Sequence, residues 1–253
     1  MNSTFNVAKY TLTENSRSRS FALSVLFIML VFVSAFIFSR LSQVVEVRAI
    51  QDIGLAAIQF FSFITVIFFA IKVALTEGMD KTIYLPLTRP IRRIEYLFGR
   101  FFGIILSAAL EIAAMGTLLT MLLFFKGAKL DGFYFACYLF VFLKIAMITA
   151  VAFFIALLST SLASAFIFSF LIWIAGHILG EIEVFADKLP AVIVVIVKIF
   201  KWIFPNYTLL NLPDYAAGRF MESAGYLPAV FYALSYCVAV MYLAAAVFEK
   251  KEF

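Results

Sequence analysis

The chain has 253 residues, of which 65% are hydrophobic and 14% charged, and its mean hydropathy is +1.06. Soluble domains are about 45–50% apolar, so this composition excludes a soluble enzyme, a disordered chain and a secreted disulfide scaffold, and reads as a polytopic membrane protein. The net charge of +5 fits membrane topology and anionic headgroups better than nucleic acid.

The fold class expected is an all-α membrane protein, a single membrane domain over 1–253. A crossing helix needs about 20 mostly apolar residues, and six such runs occur. They are roughly Phe21–Ser39, Ile53–Leu75, Phe101–Phe125, Phe133–Leu158, Leu162–Gly180 and Leu227–Phe248. The first is too long for a signal-peptide core and no small-residue cleavage site follows it, so it is read as an uncleaved span. The fourth and fifth are divided only by Ser159, Thr160 and Ser161. Pro86, Pro90, Pro190, Pro205, Pro213 and Pro228 fall in loops or in a span's first turn. Cys137 and Cys237 lie apart inside apolar runs, with no CxxC or Cys/His cluster, so neither a disulfide framework nor a zinc site is expected.

Basic residues set the orientation. One side collects Lys9, Arg17, Arg19, Lys81, Arg89, Arg92, Arg93, Arg100, Lys250 and Lys251. The other has Arg40, Arg48, Lys126 and Lys129, together with Lys188, Lys198, Lys201 and Arg219 in one long segment. Long segments translocate with little regard to charge, and setting that one aside leaves ten against four. Both termini are predicted to be cytoplasmic. The outer segment, 181–226, contains Ala191–Phe204, an apolar stretch too short to cross and carrying Lys198 and Lys201. It reads as an interfacial or re-entrant helix before the last span, with Trp202, Tyr207 and Tyr215 as anchors at headgroup level.

The loop 76–100 has the most individual chemistry. Glu77 and Asp80 follow a span, then come Thr82, Leu85 and Leu87; Arg89-Pro90 breaks the segment, and a second helical stretch starts at Ile91, with Gly99 and Gly103 spaced as GxxxG. An amphipathic cytoplasmic helix here could dock into a groove on a soluble partner. Glu77, Thr82, Leu85, Leu87, Pro90, Ile91, Arg93, Gly99 and Arg100 resemble the inner loop of the permease subunits of type II ABC exporters. Pro86 departs from that pattern, inside what would be the coupling helix. The resemblance extends to the layout: six spans, an outer re-entrant hairpin before the last, a basic tail, and an amphipathic amino-terminal helix over 1–20. In that helix Phe5, Ala8 and Leu12 give one apolar face beside Lys9 and Arg17. It implies a multi-pass transport subunit of a bacterial or archaeal cytoplasmic membrane. Its ATPase coupling would run through Glu77, Asp80, Thr82, Leu85, Leu87, Arg89, Pro90 and Arg93. The implied partners are a dimer of separate ATPase subunits holding ATP and Mg, a second permease copy and membrane lipids. The chain itself is expected to bind no cofactor, metal or nucleic acid. Consistent with this, the phosphate-cradling GxxxxGK[S/T] is missing from the sequence, and so is a GxSxG nucleophile, so no enzymatic role is expected.

Glu111 and Lys144 lie near the middle of the third and fourth spans, at depths that differ by about one helical turn. Intramembrane charges are costly unless paired or facing water, so the two are expected to form an ion pair or share one polar cavity, in a role either structural or functional. Lys72 and Arg100 are read as snorkelling to the cytoplasmic headgroups. His177, the only histidine, makes an i,i+4 pair with Glu181 and is too isolated for a metal site. Gly176 and Gly180 form a second GxxxG, which would suit either a second copy or packing within the chain. Two further functions compete with the exporter reading. A secondary transporter or channel would need a pathway of ionisable residues and often an inverted repeat, and no repeat is visible. A membrane anchor for a soluble complex would leave the mid-membrane residues dispensable.

Overall fold

The structure, a computed structural model, describes residues 3–16, 43–79, 93–128, 132–184, 204–212 and 226–250, together with Phe200 and seven helical positions of the first apolar run between 26 and 37. The regular elements among these are all helical. They are α1 (Ser3–Ser16), α2 (Gln43–Met79), α3 (Arg93–Phe125), α4 (Gly132–Leu158), α5 (Leu162–Val184), a 3-10 turn (Thr208–Leu210) and α6 (Tyr226–Lys250). Four stretches are long and apolar enough to cross a membrane: Glu46–Leu75, Ile94–Phe125, Gly132–Leu158 and Tyr226–Glu249. Leu162–Ile178 of α5 is a shorter apolar stretch. Most of the first apolar run lies outside the described residues, as do Asp80, Thr82, Leu85, Leu87, Arg89 and Pro90 of the loop. Glu77 falls near the end of α2 and Arg93 opens α3.

The helices begin earlier than apolarity alone suggests. The second run starts at Ile53 in the sequence, yet α2 starts at Gln43 and carries Glu46, Arg48 and Asp52 on its first turns. At 1.5 Å per residue its 37 residues extend about 55 Å, well beyond a hydrocarbon core of about 30 Å. The end of α3 is a Schellman turn: the Gly127 N–H donates to the Phe124 carbonyl (3.0 Å), the Ala128 N–H donates to the Leu123 carbonyl (3.0 Å), and Gly127 has φ 78°. That turn places Lys126 against Glu46, at 2.5 Å. Between α4 and α5, Ser161 acts as an N-cap, its hydroxyl accepting from the Ser164 N–H at 3.2 Å. The three polar residues between the fourth and fifth runs are therefore a genuine helix break.

The central element is α4, which packs against α2, α3, α5, α6 and the 3-10 turn. It is apolar on every side, the pattern of a buried helix, with Phe140, Met147, Ala150, Phe153 and Leu157 all buried. Aromatic pairs lock its neighbours: Phe101 meets Phe153 edge-on at 6.1 Å, and Phe63 stacks on Trp173 at 4.4 Å. Outward positions such as Phe68, Leu110, Phe124, Phe231, Val238 and Leu243 are exposed, the face a bilayer would cover. In lipid, burial of apolar area does not drive helix association; close packing and hydrogen bonds do.

Among the described residues, the most extensive contact between helices joins α1 to α3. The buried face of α1 is Val7 and Thr11, flanked by half-buried Thr4 and Glu14, while Phe5 is 66% exposed. Of the expected Phe5–Ala8–Leu12 face, Ala8 and Leu12 are half-buried and Phe5 is turned outward. The glycines of α3 decide the geometry. A Cβ at Gly99 would sit 2.7 Å from the Val7 Cβ, and one at Gly103 would sit 2.5 Å from the Thr11 Cβ. The first GxxxG is thus the seat of the amino-terminal helix. Arg100, between those glycines, does not snorkel: it is buried. Its Nε donates to the Tyr96 hydroxyl (3.1 Å), and its Nη1 donates to the Thr11 hydroxyl (3.1 Å) and to Glu14 Oε2 (3.0 Å). Tyr10 and Tyr96 present ring faces to its guanidinium. Glu14 Oε1 accepts from Lys72 Nζ at 3.1 Å, so one carboxylate fastens α1 to both α2 and α3.

Two outcomes follow from this junction. Gly99→Leu or Gly103→Leu drives a side chain into α1 and should cost about 1–3 kcal/mol in denaturant unfolding in detergent. Gly132→Ala, where an added Cβ meets nothing within 4 Å, should be near neutral. Burial pushes the Glu14 carboxyl up, but the hydrogen bonds and charges of Lys72 and Arg100 outweigh it and hold the group below its ordinary 4.5. A lowered carboxyl contributes stability that is complete above its unfolded value and lost as pH falls through the folded one. A spin label in place of exposed Lys9 should therefore be immobile at pH 7 and freed in acid below pH 4.5. In Glu14→Gln it should be equally mobile at both.

Candidate functional site

Similar distances along three helices bring polar residues together. Gln59 lies 13 residues past Glu46 and 13 short of Lys72 on α2, about 20 Å from either charge. Lys144 lies 12 residues past Gly132 on α4, and His177 lies 15 past Leu162 on α5. A fourth element reaches the same layer: residues 204–212, in which Tyr207, Leu210 and Leu212 are buried. Tyr207 is thus no headgroup anchor; Trp202 and Tyr215 lie outside the described residues.

Lys144 is only 5% exposed. Its ammonium donates to the Asn211 side-chain carbonyl in a short hydrogen bond, and to Gln59 Oε1 at 3.4 Å. The Gln59 Nε2 lies 2.9 Å from His177 Nε2, and His177 Nδ1 lies 2.9 Å from the Trp173 carbonyl. An amide nitrogen only donates and a carbonyl only accepts. His177 Nε2 is therefore the acceptor and Nδ1 carries the hydrogen, which fixes a neutral ring in one tautomer. Every group then has a consistent role: Lys144 gives to Gln59, Gln59 gives to His177, and His177 gives to the Trp173 carbonyl.

Stacking seats the ring further. His177 lies 4.7 Å from the Trp173 ring and 4.8 Å from Tyr207. Tyr207 fits because Gly176 leaves room: a Cβ there would sit 2.4 Å from the Pro205 carbonyl and 2.7 Å from the Tyr207 ring. The Tyr207 N–H donates to the Gly176 carbonyl at 3.3 Å. Gly176 of the second GxxxG is thus engaged within the chain. Asn206 closes the segment's other side, its N–H donating to the Tyr232 hydroxyl of α6 at 2.9 Å. Irregular backbone at this depth is tolerated in membranes only where protein or a water-filled cavity surrounds it; here α4 meets the Asn211 side chain, α5 the Tyr207 N–H and α6 the Asn206 N–H, while the Tyr207 hydroxyl is buried with no hydrogen-bond partner among the described residues.

Glu111 does not join this layer, which corrects the expected pairing with Lys144. Its Oε1 lies 3.1 Å from the Thr65 hydroxyl, which is also 3.0 Å from the Phe61 carbonyl. One hydroxyl hydrogen serves one acceptor, so either Thr65 donates to Glu111, or it donates to Phe61 while a protonated Glu111 donates to Thr65. Glu111 and Lys144 meet α2 about 9 Å apart along its axis and on different sides. Gln59 and Thr65 are six residues apart, about 120° of rotation. Elsewhere an open apolar cavity of about 420 Å³ lies between α3 and α4, lined by Gly116, Thr117, Met121, Phe135 and Tyr138, with Tyr138 hydrogen-bonded to Thr120 at 2.9 Å. No group of three or more His, Cys, Asp or Glu suited to a metal ion occurs among the described residues.

Sequence reasoning singled out Lys144, set His177 aside as too isolated and read Tyr207 as a headgroup anchor, and it passed over Gln59, Asn211 and Glu14. Gln59 had a usable signal, being a polar residue in mid-run, where such groups need a partner. Asn211 and Glu14 carried none, since their partners are 67 and 86 residues away. No family model matches the chain, and no curated protein matches it.

Replacing one partner of a buried, charge-assisted bond strands the other. Asn211→Leu should therefore lose about 2–3 kcal/mol in denaturant unfolding. The double variant Lys144→Met with Asn211→Leu replaces both groups by apolar ones of similar shape, and should be more stable than Asn211→Leu alone.

Proposed function

We propose that this chain is the membrane permease subunit of an ATP-binding-cassette transporter of exporter type, driven by a separate ATPase docked on the loop between α2 and α3. On this reading the first apolar run and α5 complete six spans, both termini are cytoplasmic, and residues 204–212 belong to a re-entrant outer segment. Two copies would form the pathway, and ATP and Mg would be held by the partner.

The observation that carries the reading is the clamp across the loop's two stems. Lys72 ends the membrane part of α2 and Arg100 opens that of α3, and Glu14 binds both. A push on the loop from below would move α1, α2 and α3 together instead of bending the loop alone. Rigid-body movement of packed helices is the general route to alternating access. The buried layer around Lys144 favours a second reading, an ATP-independent secondary transporter, because ionisable groups at mid-membrane mark transport pathways by default.

Co-purification from the native host in mild detergent, read by mass spectrometry, separates the two. The expected result is a stoichiometric subunit bearing a P-loop, lost when residues 77–90 are scrambled while helical content is kept. Recovery of the intact chain with no ATPase, across several detergents and nucleotide conditions, would transfer the assignment to the secondary transporter.

A further inference from the structure

Gln59 bridges two basic groups: its carbonyl faces Lys144 and its amino group faces His177. We propose that this amide makes His177 a proton-operated release for residues 204–212, because Gln59 can serve a charged Lys144 or a charged His177 but not both.

The argument is one of donors and acceptors. In the observed arrangement Lys144 is the donor to Gln59, and His177 Nε2 is an acceptor. When His177 takes a proton from solvent at Nε2, both of its ring nitrogens become donors. The Gln59 amide must then turn its carbonyl to His177, which swings its amino group onto the Lys144 ammonium. Donor faces donor, and two cations share one low-dielectric layer, where repulsion is weakly screened. Lys144 leaves Gln59 with its proton retained, and its bond to Asn211, which tethers 204–212 at this depth, is disrupted with it. One proton is taken from solvent and no covalent bond changes.

Glu181, one turn from His177 on α5, lies among the side chains not described, and the described surroundings are these. From α2, Asp52 is an exposed carboxylate two turns outward from Gln59 that acts on Cys137 of α4. From α4, Lys144 acts on both Cys137 and His177. On the far side of Tyr207, α6 presents Tyr232, Tyr236 and Cys237. Phenols and thiols are uncharged at neutral pH, so among the described residues Lys144 is the cation that a protonated His177 meets through Gln59. The proposal is independent of whether an ATPase drives the chain.

The chain has one histidine, so nitrogen-15 histidine labelling of the full chain in lipid nanodiscs reports on His177 alone. The neutral ring should show the Nδ1–H tautomer. On acidification, proton uptake by His177 and the rise in deuterium exchange of the peptide covering 204–212 should share one midpoint, with exchange faster by about fivefold or more. In Gln59→Leu the two events should come apart, and in Lys144→Met exchange over 204–212 should no longer follow pH. An Nε2–H tautomer would overturn the proposal. So would midpoints more than about one pH unit apart in the wild-type chain, no proton uptake before the fold is lost, or unchanged coupling in a folded Gln59→Leu. The wild-type comparison stands by itself if the variants do not fold.

Discussion

A lysine ammonium in the middle of a helical membrane bundle needs a protein substitute for water, and the inner architecture follows from that constraint. Hydrocarbon offers no hydrogen bonds, so each polar group at that depth must be met from within the fold. Lys144 sits on the most enclosed helix, α4. It is met by an amide from α2 and an amide from the 204–212 segment. The second of these requires the segment to descend between the helices. Its descent in turn requires a helix surface without a side chain, which Gly176 supplies, and an aromatic slot, which Trp173, His177 and Tyr207 form.

The bundle is held differently at its ends. There, ionic pairs tie helix to helix: Lys126 to Glu46 on one side, and Lys72 and Arg100 to Glu14 on the other. Surface ion pairs contribute little on their own, but two features strengthen the second set. Arg100 is buried and also donates to the Tyr96 and Thr11 hydroxyls, and Gly99 and Gly103 let α1 approach until backbone meets backbone. The result is an amino-terminal helix that is part of the membrane bundle's frame. Both stems of the loop between α2 and α3 are gripped by the same carboxylate. This is the feature of the fold best suited to passing movement from that loop into the helices, and it gives the permease reading its physical content.

Between the two ends lies a contrast in chemistry. The ionic clamps are pairs of opposite charge, while the mid-depth layer is a directed chain of donors in which neutral amides mediate between basic groups. A directed chain has two senses, and reversing one amide reverses what its neighbours can be. Such a layer can respond to a proton where an ion pair of the same depth would only break.

The sequence by itself determined that the chain is helical with stretches apolar enough to cross a membrane, and it located the four such stretches among the described residues to within about seven residues. Apolarity sustained over 20 residues is a local property, and lipid demands it locally. The sequence also placed Glu111 and Lys144 near mid-span, about one helical turn apart, since depth is a count of residues along a helix. It could not pair them, because pairing depends on how each helix is turned about its own axis. That turn is set by all the neighbours at once: Thr65 takes Glu111, and Gln59 and Asn211 take Lys144. The same holds for α1, whose apolar residues suggested a face that included Phe5, while glycines and an arginine on α3, nearly 90 residues away, selected one centred on Val7 and Thr11. Composition fixed what each segment must dissolve in; only the tertiary structure decided which side chains meet, because contacts between distant segments depend on packing geometry that no local pattern encodes.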